Sequence, residues 1–222
     1  TYAEVISGYT SFYLGAKSVC PSVTMNVTFT GSWYDETKEK NAAIGLINDG
    51  CVLISQHADS MGAPNACEEK GVPNVSYNGS TVNACPNTFI ISSRINWAPY
   101  YKYLIAQTVN KQPVAKDWVG TLKTGSVELT DLGGKAMAAG TVEKLVEVRN
   151  QLMNGTLHVF DITKFTKNGE QLSSYKADVD TDAAYTPDTE VVANGYFQES
   201  AFRSAPYFDV RIDGIKLNNE EF

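Results

Sequence analysis

The sequence predicts an α/β fold built on a doubly wound parallel sheet, and three observations carry that expectation. Strand-like and helix-like segments alternate at about 25-residue spacing through the first half of the chain. Short apolar runs such as Val52-Leu53-Ile54 and Phe89-Ile90-Ile91 read as strands covered on both faces. Hydrophobic residues make up 43% of the 222 residues and aromatics 11%, enough for one large domain or two small lobes with packed cores.

The elements follow in order. Val5, Tyr9, Phe12, Tyr13 and Ala16 recur at three- and four-residue steps, which predicts a helix from Glu4 to Val19. Cys20-Pro21 ends it, because a proline disfavours helical geometry in the residue before it. Val23, Met25, Val27 and Phe29 alternate with polar residues as a first strand of the sheet, and Gly31-Ser32-Trp33-Tyr34 is a loop. Asp35 is a helix cap for Glu36 to Asn48, with Gly50 as the stop. Cys51 to Ser55 is a short apolar strand, Ser60 to Lys70 a helix closed by Gly71, and Pro73–Tyr77 and Thr88–Ser92 are two further strands. A helix from Trp97 to Asn110 completes the alternation.

After Gln112-Pro113 the texture changes. Trp118 to Leu129 reads as a strand pair around Lys123-Thr124-Gly125, Lys135 to Met153 as a helix, and Leu157-His158-Val159-Phe160 as a strand. Asn168-Gly169 is a hairpin turn signal. From Ala177 the tail is rich in Asp, Thr and Pro and then in aromatics, expected as irregular packing with some helix.

Composition excludes several function classes. The net charge of −7 and the absence of a Lys/Arg cluster argue against a nucleic-acid polymer as partner. No apolar run is long enough to span a bilayer. With two histidines far apart and no CxxC or HExxH spacing, neither a metal nor another cofactor is expected. His57 near Asp59 has no nucleophile motif beside it, so the chain reads as a non-enzyme. Thr1 leads almost directly into a helical pattern, so an upstream segment is expected to have preceded it.

Ligands of open parallel sheets bind beyond the carboxyl ends of the strands. Four such segments exist here: Gly31-Ser32-Trp33-Tyr34-Asp35, Gln56-His57-Ala58-Asp59-Ser60, Tyr77-Asn78-Gly79-Ser80 and Ser93-Arg94-Ile95-Asn96-Trp97. Indoles, amides, a carboxylate and hydroxyls together suit a flat heterocycle carrying a sugar. The candidate ligand-binding residues are therefore Trp33, His57, Asp59, Asn78, Ser80, Asn96 and Trp97. Cys20, Cys51, Cys67 and Cys85 fall at the opposite ends of the elements, where Cys20–Cys51 plus Cys67–Cys85 is the simplest of three pairings and implies an oxidising compartment. Sequons at Asn74, Asn78 and Asn154 are glycosylation candidates, while that at Asn26 lies inside an expected strand.

The run Gly31-Ser32-Trp33-Tyr34-Asp35-Glu36-Thr37-Lys38-Glu39-Lys40, then Ile54-Ser55-Gln56-His57-Ala58-Asp59-Ser60 and Glu68-Glu69-Lys70-Gly71-Val72, resembles the basic membrane protein (BMP) family, extracytoplasmic substrate-binding lipoproteins of nucleoside-type ABC transporters. Ser93-Arg94-Ile95-Asn96-Trp97-Ala98-Pro99-Tyr100-Tyr101 is similar to the family's N-W-G-P-Y-Y segment, and Trp118-Val119-Gly120-Thr121-Leu122-Lys123-Thr124-Gly125 to its W-x-G-x-L-K-x-G stretch. The resemblance implies a periplasmic-binding-protein-like clamshell gripping a purine or purine nucleoside between lobes. Trp33 then takes the base-stacking role, and Asn78 stands where many members have a ribose-binding Asp. Asn96 and Trp97 line the same wall.

Residues 1–112 are expected as a Rossmann-like ligand-binding lobe lacking its first strand, and 113–222 as a crossover region, helix, hairpin and tail completing the lobes. The partners implied are an N-terminal lobe or a neighbouring chain that completes the sheet, and an ABC transporter permease or self-assembly. The alternative reading is a secreted or cell-surface structural protein that reuses the fold without transport.

Overall fold

The structure, a computed structural model, describes residues 2–180 and 182–219. Five helices lie among the described residues: α1 (Ala3–Val19), α2 (Glu36–Asn48), α3 (Gly62–Lys70), α4 (Ala98–Val109) and α5 (Thr141–Asn154). The strands are β1 (Met25–Val27), β2 (Ile54–Ser55), β3 (Asn74–Tyr77), β4 (Phe89–Ile95), β5 (Val127–Leu129), β6 (Lys176–Ala177), β7 (Thr189–Glu190), β8 (Val192–Ala193), β9 (Tyr196–Phe197) and β10 (Ile215–Leu217). The chain divides into two compact units. The first comprises Thr1–Met25, Tyr100–Gly120 and Asn154–Lys216; the second comprises Asn26–Pro99, Thr121–Met153 and Leu217–Phe222.

The second unit holds the α/β sheet, in the order β2-β3-β4-β5. β2, β3 and β4 are parallel, and β5 is antiparallel to β4. α2 is expected and observed over the same residues for a local reason. The Asp35 side chain accepts from Lys38 N at 2.9 Å, capping the first turn, and Gly50 leaves the helix at φ +90°. α2 and α3 pack through Ala43, Ala63 and Ala66 onto Ile54, small residues that let the helices approach closely.

Several expectations fail in this unit. Of Cys51 to Ser55, expected as a strand covered on both faces, only Ile54–Ser55 is strand: Val52 is 81% exposed and pairing starts at Ile54. Cys51 N donates to Leu46 O at 3.0 Å, so the end of α2 consumes the backbone the strand needed. The first strand does not join the parallel sheet but pairs with β10. Asn218 N donates to Val27 O, and the Asn219 side chain brackets Phe29 by binding both its N–H and its carbonyl. Lastly, Thr121–Gly125 is a tight turn closed by Thr121–Thr124 hydrogen bonds, and the strand after it pairs with β4 rather than with a hairpin partner. α5 starts later than expected because Gly133 N donates to Ile90 O at 2.7 Å, strapping the preceding segment onto β4.

The first unit is packed around aromatics of the tail. Ile6, Tyr13 and Leu14 of α1 bury against a core that includes Phe160, Phe165, Phe197 and Phe208. The Phe160 and Phe208 rings stack at 3.9 Å, and Phe197 meets Phe208 edge-on at 4.8 Å. The tail was expected to contain some helix; its described residues form short antiparallel pairs instead, β6 with β7 and β8 with β9. Asn194-Gly195, with φ of +56° and +85°, turns β8 into β9 in the way that favours a two-residue hairpin. Asn168-Gly169 turns likewise, joining Lys167 to Glu170. Leu157–Phe160, expected as a strand, forms none: the His158 ring stacks on Tyr196, Phe160 and Asp161 meet β9 through the backbone, and Asp161 then turns the chain by accepting from Thr163 N at 2.8 Å.

Glu190 fastens this unit's hairpin. Its carboxylate accepts from the Ser174 hydroxyl, from Tyr175 N at 2.9 Å and from Val192 N at 2.8 Å. Those hydrogen bonds, that from Ser174 foremost, hold its carboxyl down at about 2. A folded value below the unfolded one stabilises above the unfolded value and is lost as pH falls through the folded one. The expected result is a melting temperature that drops between about pH 4.5 and pH 2, with Glu190→Gln flattening that part of the profile. An unchanged acid limb in the variant contradicts the assignment.

Candidate functional site

β2, β3 and β4 run parallel, so their carboxyl ends lie on one edge of the sheet, and the segments leaving them carry the site. After β2, the Gln56 amide donates to Ala58 O at 2.9 Å and Ser60 O at 3.3 Å, folding 56–60 into a compact loop. Ser60 is 2% exposed, and its N–H donates to the Glu39 carboxylate at 3.2 Å. His57 projects from this loop and stacks on Tyr77, the last residue of β3, with ring centroids 4.5 Å apart.

Trp33 reaches the same place from outside the sheet. Asp59 N donates to Trp33 O at 2.9 Å, and the indole lies 6.4 Å from the His57 ring, tilted by 46°. The result is a run of three rings, Trp33–His57–Tyr77, with the indole 45% exposed and able to offer a face to a ligand.

Beyond Tyr77 the chain turns at Asn78, whose φ of +59° is a left-handed conformation that Asn tolerates. Asn78 and Ser80 are exposed, and the Ser80 hydroxyl accepts from Val82 N at 3.4 Å. On the next strand, β4 overshoots β3, whose Tyr77 is in register with Ser93. Asn96 N donates to Ser126 O at 2.8 Å, and its side-chain oxygen accepts from Ala98 N at 3.1 Å, launching α4. Trp97 beside it is 58% exposed.

Trp33, His57 and Asp59 are thus brought together with the Tyr77–Ser80 turn, while Asn96 and Trp97 stand at the tip of the adjacent strand. Sequence reasoning passed over Tyr77 as a site residue. Its signal was present: an aromatic ending a parallel strand one residue before the turn at Asn78. Asp35, read as a cap, is one.

Asn74 fails as a glycosylation candidate. It is 2% exposed, and its amide donates to the Thr88 hydroxyl at 3.1 Å inside the sheet, leaving no room for a glycan. Asn78 and Asn154 are exposed. Asp180, Asp182 and Asp188 bring carboxylates within 4.8 Å of one another, but all three are exposed, and two of them accept backbone N–H groups as turn formers. In the structure the four cysteines are unbridged, with Cys67 and Cys85 buried and Cys20 exposed. No helix among the described residues is long and apolar enough to cross a membrane.

Comparison with known proteins agrees with this architecture. The chain is 29% identical over 177 residues to the purine-binding protein of Brucella abortus, covering 76% of this chain and 49% of that protein. It is 26% identical over 168 residues to a Haloferax volcanii protein named as an ABC-transporter glucose-binding protein, covering 76% and 43%. It is also 26% identical over 166 residues to metabotropic glutamate receptor-like protein K of Dictyostelium discoideum, covering 72% and 24%. The chain thus spans about half the length of the first two relatives.

Among solved structures, the ABC-transporter solute-binding protein of Conexibacter woesei superposes with a TM-score of 0.58 at 22% identity, over 69% of this chain and 52% of that one. That of Aeropyrum pernix gives 0.56 at 18%, over the same shares, and both share the fold. The family model for PnrA-like ABC-transporter substrate-binding proteins matches residues 1–163. With that match across the sheet and its ring-lined edge, the chain belongs to the Bmp family of substrate-binding proteins.

Proposed function

We propose that this chain supplies one wall of a binding site for a purine or purine nucleoside, in an extracytoplasmic substrate-binding protein that serves an ABC transporter. The observation that carries the reading is the ring run Trp33–His57–Tyr77 at the carboxyl edge of the parallel strands. A purine stacks on the exposed indole, and the amides of Asn78 and Asn96 with the hydroxyl of Ser80 supply directional contacts to base edge or ribose. Asn78 is neutral where the family resemblance implies a carboxylate, so it offers a weaker bond to ribose hydroxyls than a charge-assisted one. Asp59, exposed beside the rings, is the carboxylate left to fill that role. One wall leaves much of a ligand wet, so the second wall is assigned to a lobe outside this chain. The Brucella relative's name supports a purine; the Haloferax relative's name makes glucose the competitor to test.

Calorimetric titration with adenosine, inosine, guanosine and glucose, on protein that carries the second lobe as well, decides the ligand. Nucleosides are expected to bind, and Trp33→Ala to weaken them by about tenfold or more, the worth of one base–aromatic stack. Binding of glucose alone, or nucleoside affinity indifferent to Trp33, overturns the purine reading. Silence with every ligand favours a structural role for the fold.

A further inference from the structure

Cys67 and Cys85 are both wholly shielded from solvent, although neither belongs to the binding edge. Cys67 sits in the last turn of α3, and Cys85 in the loop that feeds β4. A frame of hydrogen bonds presses the two segments together. Glu68, the residue after Cys67, accepts from Asn87 N at 3.2 Å and from the Thr88 hydroxyl at 2.7 Å. Thr88 in turn binds Asn74 through both backbone and side chain, at 2.8 and 3.1 Å. The backbone at each cysteine is fixed as well, since Cys67 O accepts from Val72 N and Cys85 O from Phe89 N, each at 3.0 Å. Burial pushes the Cys67 thiol up to about 12, with a smaller contribution from the charge of Cys85. Burial likewise raises the Cys85 thiol, reinforced by the Glu68 charge.

We propose that Cys67 and Cys85 form a disulfide that clamps the end of α3 to the start of β4. The step is a thiol–disulfide exchange with a small-molecule or enzyme disulfide as oxidant. One cysteine thiolate attacks the oxidant's S–S bond, releasing a thiol and leaving a mixed disulfide. The second cysteine, losing its proton, attacks that bond and expels the other thiol. Two electrons pass from the cysteines to the oxidant, one S–S bond forms and one breaks. Two inaccessible thiols that resist ionisation react slowly in the folded protein, so the bond closes as the chain folds. A loop of this size puts the clamp among disulfides that stabilise chiefly by restricting the unfolded chain. The inference is independent of the ligand, because Cys67 in α3 and Cys85 in the loop before β4 lie outside the segments that carry the ring run.

The test refolds the full chain in an oxidised/reduced glutathione mixture, denatures it with iodoacetamide and no reductant, and maps the peptides by mass spectrometry. A Cys67–Cys85 cross-linked peptide is expected, together with a melting temperature that falls by roughly 5–10 °C on adding dithiothreitol. The Cys67→Ala/Cys85→Ala variant is expected to melt near the reduced protein and to ignore the reductant. Alkylation of both Cys67 and Cys85, or a cross-link from either to Cys20 or Cys51, overturns the pairing. A cross-linked protein whose melting temperature ignores the reductant overturns the clamp.

Discussion

Replacing Gly62 with alanine is expected to destabilise the α/β unit by about 3 kcal/mol or more. Gly62 opens α3 where its backbone crosses α2, and a β-carbon there would overlap the Glu36 carbonyl oxygen. It would also stand 2.9 Å from Lys40 N and 3.1 Å from the Glu36 carbonyl carbon. All three are main-chain atoms of a helix, so no side chain can rotate aside and the two helices must part. Parting them opens the contact of Ala43 with Ala63 and Ala66, which are at most 7% exposed. Gly45 in the middle of α2 is the control. Nothing lies within 4 Å of a β-carbon added there, so Gly45→Ala should raise stability by about 0.5–1 kcal/mol through helix propensity alone. Urea denaturation of both variants reads the difference. If Gly62→Ala unfolds at the wild-type midpoint, the close approach of α2 and α3 is wrong.

Glu39→Ala is the second large loss, with an expected cost of roughly 2–4 kcal/mol. Glu39 is 3% exposed, and its carboxylate is held by backbone N–H groups. One carboxylate oxygen accepts from Asp35 N at 3.0 Å and the other from Ser60 N at 3.2 Å, at the end of α2 where the helix dipole favours an anion. Truncation leaves two N–H groups without their acceptors, one of them in the buried Ser60. Because Ser60 O also holds the Gln56 amide, the loop carrying His57 and Asp59 should loosen too. Denaturant titration measures the first effect, and the near-ultraviolet dichroism of the Trp33–His57–Tyr77 rings the second. A variant with unchanged stability and an unchanged aromatic spectrum shows that Glu39 does not brace the loop.

How far the sequence could be read depends on how local each determinant is. α2 is legible to the residue because its cap, its apolar face and its glycine stop all lie within it and its flanks. β4 is legible from its apolar start, Phe89-Ile90-Ile91, and β3 from its place between the helix stop at Gly71 and the turn at Asn78-Gly79. β1 looks like a sheet strand, yet its partner is β10, nearly the whole chain away, and alternation cannot name a partner. Residues 196–208 read as irregular packing with some helix because their aromatics follow no period. Phe197, Tyr207 and Phe208 are nonetheless core, in one cluster with Ile6, Tyr13 and Leu14 of α1.

The site divides along the same line. Trp33, His57, Asn78 and Trp97 could be nominated because each follows a segment with strand or helix character. Tyr77 was missed because only the 4.5 Å stack with His57 gives it a role. Asn74 was mistaken for a surface sequon because its burial depends on Thr88 across the β3–β4 ladder.

Taken alone, the sequence determined the α/β order, the helix caps and turns, and the motifs of the Bmp family, all properties of residues close together along the chain. Only the tertiary structure decided that the Trp33 loop meets His57 through Asp59 N, that β1 leaves the parallel sheet, and that Cys67 and Cys85 are both wholly buried. Those outcomes rest on hydrogen bonds and packing between residues far apart in the chain, whose entropic cost is recovered only when the whole sheet assembles.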